Sequence, residues 1–327
     1  MIVAGDIGGT NARLALFEVQ AGRLLLVKER IYPSRSAPDL ETIARRFVEE
    51  TRPSATGAAL GVAGPVKNGR IETPNLPWVV DSGRLADILA VPKVTLLNDL
   101  KANAYGLRHL GPTDFAMLQA GAHDAAGNQA ILSAGTGLGC AGLYWDGQRH
   151  RPFATEGGHA DFATRTPIES ELREHVAKEK GRVSAERILS GGGLVRIYRF
   201  LRERSGVPEP AALAERLAKE DPAAVVSKSA MEGVDPVCVE ALDLFVAAYG
   251  AEAGNVALRM LATGGVFLGG GIAPKILPRI QRDAVFMNAF LDKGRMRPLL
   301  ETIPVLVVLN DRAALWGAAH CAAFDET

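Results

Sequence analysis

The chain has no charge imbalance: lysine plus arginine and aspartate plus glutamate each number 37 among its 327 residues. A nucleic-acid binder ordinarily carries a basic excess or a basic stripe, so no nucleic-acid partner is expected. Cysteine is scarce. Cys140, Cys238 and Cys321 are odd in number and far apart, which excludes a disulfide framework and a paired-cysteine zinc site and suits a reducing compartment. No basic segment followed by an apolar core opens the chain, so no signal peptide is expected. Long hydrophobic runs are also missing. The one uncharged stretch long enough to span a bilayer, residues 125–145, is broken by glycines and by Asn128, Gln129, Ser133 and Thr136. These absences predict a cytoplasmic protein with neither membrane nor nucleic acid among its partners.

What is present is the composition of a folded globular protein, 47% hydrophobic, and a length that favours two lobes over one. The first hundred residues alternate strand-like and helix-like segments. "IVAGDIG" and "ARLALFEV" read as a hairpin and "RLLLVKERIY" as a third strand. "DLETIARRFVEE" has helical spacing, "GAALGVAGPV" and "KVTLLN" read as strands, and "DLKANAYGLRHL" opens a helix. A second cycle begins at "NQAILSAGTGLGCAGLYWDG", again strand, glycine-rich turn, strand, without close repetition of the first. "SAERILSGGGLVRIYRFLRERS" reads as helical, and so does a later segment with Leu242, Phe245, Tyr249, Val256 and Met260 on one face. "GGVFLGGGIAP" is a third glycine-rich turn, "IPVLVVLN" a late strand and "DRAALWGAAHCAAF" a closing helix. The pattern predicts a mixed α/β protein.

Three glycine-rich turns in a soluble α/β chain suggest phosphate binding, and two common versions are excluded. Gly137, Gly139 and Gly142 match the spacing of a dinucleotide fingerprint, but a strand follows them where that motif needs a helix. No G-x-x-x-x-G-K-[ST] string exists, nor the H-R-D loop and D-F-G triplet of protein kinases. What survives is a phosphate site assembled from separate turns. Gly8, Gly9 and Thr10 would supply one part, Gly135, Thr136 and Gly137 another, with Gly269, Gly270 and Gly271 along the nucleoside. Ordinary turns remain the alternative for each of the three.

The order of these strings resembles the superfamily of actin, hexokinase and heat-shock chaperones. Within it the chain is similar to the bacterial glucokinases of the proteobacterial type over nearly its whole length, through "GDIGGTNARLAL", "LLNDLKANAYG", "GTGLG", "EGGHADFA", "SAERILSGGGL" and "GGVFLGGGIAP". The related ROK sugar kinases and repressors share "GDIGGT" and a segment like "TPNLPW", yet normally carry a cysteine-rich zinc motif, and no cysteine lies between Cys140 and Cys238 here. The ROK repressors also begin with a helix-turn-helix domain, whereas the phosphate hairpin starts at the first residues of this chain. The resemblance implies two ribonuclease H-like lobes with an interlobe active-site cleft. One would comprise residues 1–107 completed by a C-terminal helix at 311–327, the other residues 108–310. It also implies a homodimer and the conversion of glucose and ATP to glucose 6-phosphate and ADP.

Phosphoryl transfer to a sugar hydroxyl needs positioning, charge neutralisation and a base. Asp99 follows a strand and opens a helix, a place from which a side chain projects into an α/β cleft. A helix cap is the competing role, and the "LLND" match favours the base. The resemblance assigns Asn98, Asp99, Glu156, His159 and Glu186 together to the sugar, with Asn75 a weaker addition. Gly5, Asp6, Ile7, Gly8, Gly9 and Thr10 form the expected nucleotide hairpin, in which Asp6 would hold magnesium directly or through water. Two rival readings are a kinase for another hexose or an N-acetylhexosamine, and a sugar-responsive regulator without catalysis.

Overall fold

The apolar runs that open the chain assemble into one mixed sheet. The computed structural model describes residues 1–73 and 76–324. In it β1 (Ile2–Ile7), β2 (Asn11–Gln20) and β3 (Arg23–Pro33) form an antiparallel meander. Helix α1 (Leu40–Thr51) leads into β4 (Ala58–Val62). The small hairpin of β5 (Arg70–Glu72) and β6 (Val79–Asp81) and the helix α2 (Ser82–Leu89) precede β7 (Val94–Asn98) and α3 (Asp99–Gly106). The strand order is β3-β2-β1-β4-β7, with β1, β4 and β7 parallel. β1 is covered on both faces, which is why it reads as a near-continuous apolar run. Helix α1 obeys the helical rule, burying Leu40, Ile43, Ala44 and Phe47 and starting where the Asp39 side chain accepts from the Thr42 N–H at 2.8 Å.

The chain divides into two compact units, and this sheet belongs to the first: Met1–Pro112 with Pro152–Ala154 and Asn310–Thr327. Its last described element is the C-terminal helix, Ala313–Phe324. That helix packs on α3 at backbone distance. A Cβ at Gly317 would lie 1.8 Å from the Ala102 carbonyl oxygen, and one at Gly106 would lie 1.9 Å from that of Ala313. Glycine is what lets the two helices approach this closely.

The second unit, Thr113–Arg151 with Thr155–Leu309, begins with β8 (Phe115–Gln119), β9 (Gln129–Ala134), β10 (Leu138–Trp145) and β11 (His150–Thr155). Helices α4 (Pro167–Lys180), α5 (Ala185–Ile188), α6 (Gly191–Ser205), α7 (Ala211–Lys219), α8 (Pro222–Met231) and α9 (Pro236–Met260) follow. β12 (Gly265–Gly269) and β13 (Val305–Val308) complete a six-stranded sheet of order β11-β10-β9-β12-β13-β8. Read from β11 to β13, this order repeats β3-β2-β1-β4-β7 strand for strand. The two cycles seen in the sequence are therefore two copies of one topology. On α9, Leu242, Phe245, Tyr249 and Val256 are buried in the core, as their spacing predicts.

One expected helix is two. The run from Ser184 to Ser205 breaks at Leu189 and Ser190, because the Ser190 side chain turns back to accept from the Gly193 N–H at 3.1 Å and starts α6 afresh. Among the described residues no helix is long and apolar enough to cross a membrane.

Candidate active site

In the first unit the turn between β1 and β2 is held by its own backbone. The Gly8 N–H donates to the Asn11 carbonyl at 2.9 Å, and the Ser34 hydroxyl donates to the Gly8 carbonyl at 2.7 Å. Gly8, Gly9 and Thr10 stay at or near the surface. Gly5 and Ile7, expected with them, do not: both are buried in β1, where a Cβ on Gly5 would strike Leu60 and Leu14 and the Ile7 side chain belongs to the core. Asp6 lies between these two and keeps part of its surface open. Burial raises its carboxyl pKa to about 6. Arg13 pulls the other way, while Asp99 and Asp311 add to the rise.

Asn98 and Asp99 stand at the junction of β7 and α3, both half-exposed. The cap of α3 is Asn98: its Oδ1 accepts from the N–H groups of Leu100 at 3.0 Å and Lys101 at 3.2 Å, and its Nδ2 donates to the Gly64 carbonyl at 3.2 Å. Asp99 is the first residue of the helix and accepts from the Leu100 N–H at 2.9 Å. The cap role weighed for Asp99 thus falls mainly to its neighbour. Asn75 lies outside the described residues.

In the second unit three expected sugar residues come together. His159 sits between two carboxylates, its Nε2 3.8 Å from Glu156 Oε2 and its Nδ1 3.9 Å from Glu186 Oε1. Both distances exceed hydrogen-bond range, so neither carboxylate is committed to the ring. All three side chains reach solvent, at 67% exposure for Glu156, 59% for His159 and 30% for Glu186. Such a set offers acceptors and a ring nitrogen to adjacent hydroxyls. The loop is anchored to β10 by the Thr155 hydroxyl on the Cys140 carbonyl at 2.8 Å, and Arg182 donates to the His159 carbonyl at 2.6 Å.

The turn between β9 and β10 lies against this cluster. Its Gly135 N–H donates to the Gly137 carbonyl at 2.8 Å, and the Leu138 N–H donates to Glu186 Oε2 at 3.0 Å. Gly135 and Thr136 border a cavity of about 780 Å³ whose wall continues through Gly191 and Gly192 at the start of α6, Gly271 and Lys275. Arg196 and Arg199 add positive charge and Glu179 and Asp221 negative. Burial, then the neighbouring Arg187 cation, pushes the Arg196 pKa down, so an anion here would be welcome. A glycine-rich start to a fifteen-residue helix is itself suited to phosphate oxygens. Of the third turn only Gly271 borders the cavity. Gly269 ends β12 in the core with no room for a side chain beside Ser133, and Gly270 takes a φ of +80° under the Ala134 carbonyl. They shape the turn rather than its lining. A second cavity of about 490 Å³, between α1 and α2, contains none of the candidate residues.

Sequence reasoning passed over Gly191, Gly192, Arg196 and Lys275. The signal was there in "SGGGL", a serine before three glycines and an apolar helix, which marks a helix start open to a ligand. Asp311 was missed as well, because nothing local in the chain ties it to Asp6.

The chain matches the family model for glucokinase over residues 3–324. It is 43% identical over 339 residues to the glucokinase of Nostoc sp., with 99% of each chain covered. Among solved structures, glucokinase from an Antarctic psychrotroph superposes with a TM-score of 0.84 at 30% identity, covering 98% of both chains. A Balamuthia mandrillaris glucokinase in complex with glucose gives 0.81 at 23% identity, covering 98% of this chain and 93% of that one, a likeness of fold alone. The fold is the actin-like ATPase fold of sugar kinases.

Proposed function

The chain belongs to the glucokinase family, and on that premise we propose that it transfers the terminal phosphoryl group of ATP to the 6-hydroxyl of glucose. The observation that carries this reading is the joining of Glu156, His159 and Glu186 to the turn at Gly135–Leu138 through one carboxylate. A polyol site and a phosphate-binding turn joined by one side chain are what sugar phosphorylation requires.

Asp99 accepts the proton as the sugar oxygen attacks phosphorus. Its place at the first turn of α3 suits an ionised side chain, because the helix N-terminus favours negative charge. Asn98, with its carbonyl oxygen on the helix and one amide hydrogen on Gly64, keeps a second amide hydrogen for a sugar hydroxyl. Glu156, His159 and Glu186 fix the sugar ring. Gly8 to Thr10, Gly135, Thr136 and the start of α6 receive the phosphates. The cavity beside Gly271 takes the nucleoside.

Magnesium fits this donor set. Among the described residues no three His, Cys, Asp or Glu side chains lie close enough to hold a metal by themselves. Magnesium that accompanies phosphates asks for only one or two carboxylates. Asp6, partly dehydrated with Asp99 and Asp311 adding negative potential, is such a carboxylate. When bound, the ion neutralises charge on the phosphates.

A homodimer working in the cytoplasm belongs to the same proposal and rests on the family likeness; light scattering tests the dimer. The experiment for the reaction is ADP release with a panel of glucose, mannose and N-acetylhexosamines. Glucose is expected to be turned over with the highest kcat/KM. Turnover of an N-acetylhexosamine alone, or binding without turnover, would move the protein to one of the rival readings.

A further inference from the structure

Glu186 does two things at once. One carboxylate oxygen, Oε2, accepts the Leu138 N–H at 3.0 Å, and the other, Oε1, faces His159 at 3.9 Å. The first contact fixes the end of the turn that borders the large cavity; the second belongs to the sugar cluster. The opposite end of that turn is tied to the same segment, since the Gly191 N–H donates to the Gly135 carbonyl at 2.9 Å. The Glu186 carbonyl in turn accepts from the Ser190 hydroxyl at 2.8 Å, the residue that caps α6. Residues 186–191 therefore grip the turn at both ends.

From this geometry we infer that Glu186 couples the sugar site to the nucleotide-binding turn. The inference rests on the proposed sugar-kinase reading and goes beyond it, giving one sugar ligand a second task. The Glu186 side chain keeps 30% of its surface exposed, and among the described residues Oε1 faces the His159 ring from 3.9 Å, beyond hydrogen-bond range. A sugar hydroxyl donating to Oε1 fixes the plane of the carboxylate, and with it the bond from Oε2 to Leu138. The turn is then ordered before the nucleotide arrives, so the nucleotide loses less entropy on binding. Linkage makes the effect reciprocal: bound nucleotide must tighten sugar by the same factor.

Gly137 provides the means of testing it. A Cβ there would lie 2.5 Å from Glu186 Oε2, the far end of a flexible side chain, and no strained φ forbids alanine at this position. Gly137→Ala thus pushes the carboxylate off Leu138 while leaving Glu186 present to meet sugar. The affinity of a non-hydrolysable ATP analogue with magnesium is measured with and without saturating glucose. Coupling between sites commonly spans about 5- to 150-fold, so glucose should tighten the analogue at least about fivefold in the wild type. In Gly137→Ala either affinity alone can shift, since the turn and Glu186 both belong to the binding machinery, and the test is the ratio, which should fall to about twofold or less. Retention of the wild-type ratio by the variant would overturn the inference. A wild type that binds both ligands independently would overturn it too, leaving the kinase reading in place. Absence of glucose binding by the wild type would instead bring down that reading and the inference with it. Should the variant not fold, amide exchange in the wild type decides. Glucose alone must slow exchange across residues 135–138, and unchanged exchange rejects the coupling.

Discussion

Arg13 lies directly opposite Asp6 in the β1–β2 pairing, yet its guanidinium is engaged elsewhere, with Asp311 at 2.9 Å and Glu29 at 3.2 Å. Arg13 thereby ties the first hairpin to Asp311, two residues before the C-terminal helix. Its charge lowers the Asp6 pKa, but burial outweighs it and the carboxyl stands at about 6. Between the ordinary carboxylate value and this one, the folded protein holds a proton that the unfolded chain has released. Stability therefore falls as pH rises through that window and levels off above it. Asp6→Asn removes the effect. Calorimetry of metal-free protein should show equal Tm for variant and wild type near pH 4, and a higher Tm for the variant at pH 7. A constant difference across this range would contradict the raised pKa.

The division of labour between Asn98 and Asp99 predicts opposite phenotypes. Asn98→Ala removes the cap of α3 and should cost about 1 kcal/mol of stability in denaturant unfolding. Asp99→Asn keeps an acceptor for the Leu100 N–H but cannot take the sugar proton. Its kcat should fall by at least about 10²-fold, with glucose affinity changed much less. An Asp99→Asn enzyme with more than about a tenth of normal kcat would leave Asp99 without its role as base.

Gly8→Val tests the first hairpin. A Cβ at Gly8 meets nothing nearer than the Asn11 carbonyl oxygen at 3.4 Å, so the fold has room for the β-carbon, and an unchanged Tm is the control that the rest of the side chain is accommodated. Any loss then reports on a ligand approaching the turn. KM for ATP should rise by about tenfold or more, while glucose binding without nucleotide survives. Unaltered ATP kinetics would remove Gly8 from the phosphate site.

Gly317→Ala addresses how the base is carried. With only 1.8 Å to the Ala102 carbonyl oxygen, a methyl group must separate the C-terminal helix from α3. Overpacking of this kind costs about 1–3 kcal/mol, and kcat should fall with the displacement of Asp99. A variant with unchanged Tm and kcat would show that the contact is soft.

Much of this protein is legible in the chain because the information is local. Strands such as Ile2–Ile7 and Val94–Asn98 are apolar runs bounded by turn residues, and Leu40–Thr51 carries its apolar residues at helical spacing behind an aspartate cap. The glycine-rich strings and "EGGHADFA" name the residues of a sugar-kinase site by resemblance. What they do not contain is a distance. The split at Ser190 arises from one hydroxyl choosing a backbone N–H, and the cap at Asn98 rather than Asp99 from the dihedral angles of a single residue. That Gly5, Ile7 and Gly269 face the core follows from which neighbours the sheets bring against them. Glu186 reaches Leu138 across 48 residues of sequence, and Arg13 reaches Asp311 across 298. Sequence by itself determined the elements and the cast of side chains, since propensity and periodicity act over a few residues. Only tertiary structure decided which of them meet, because packing and long-range hydrogen bonds depend on where the whole chain has gone.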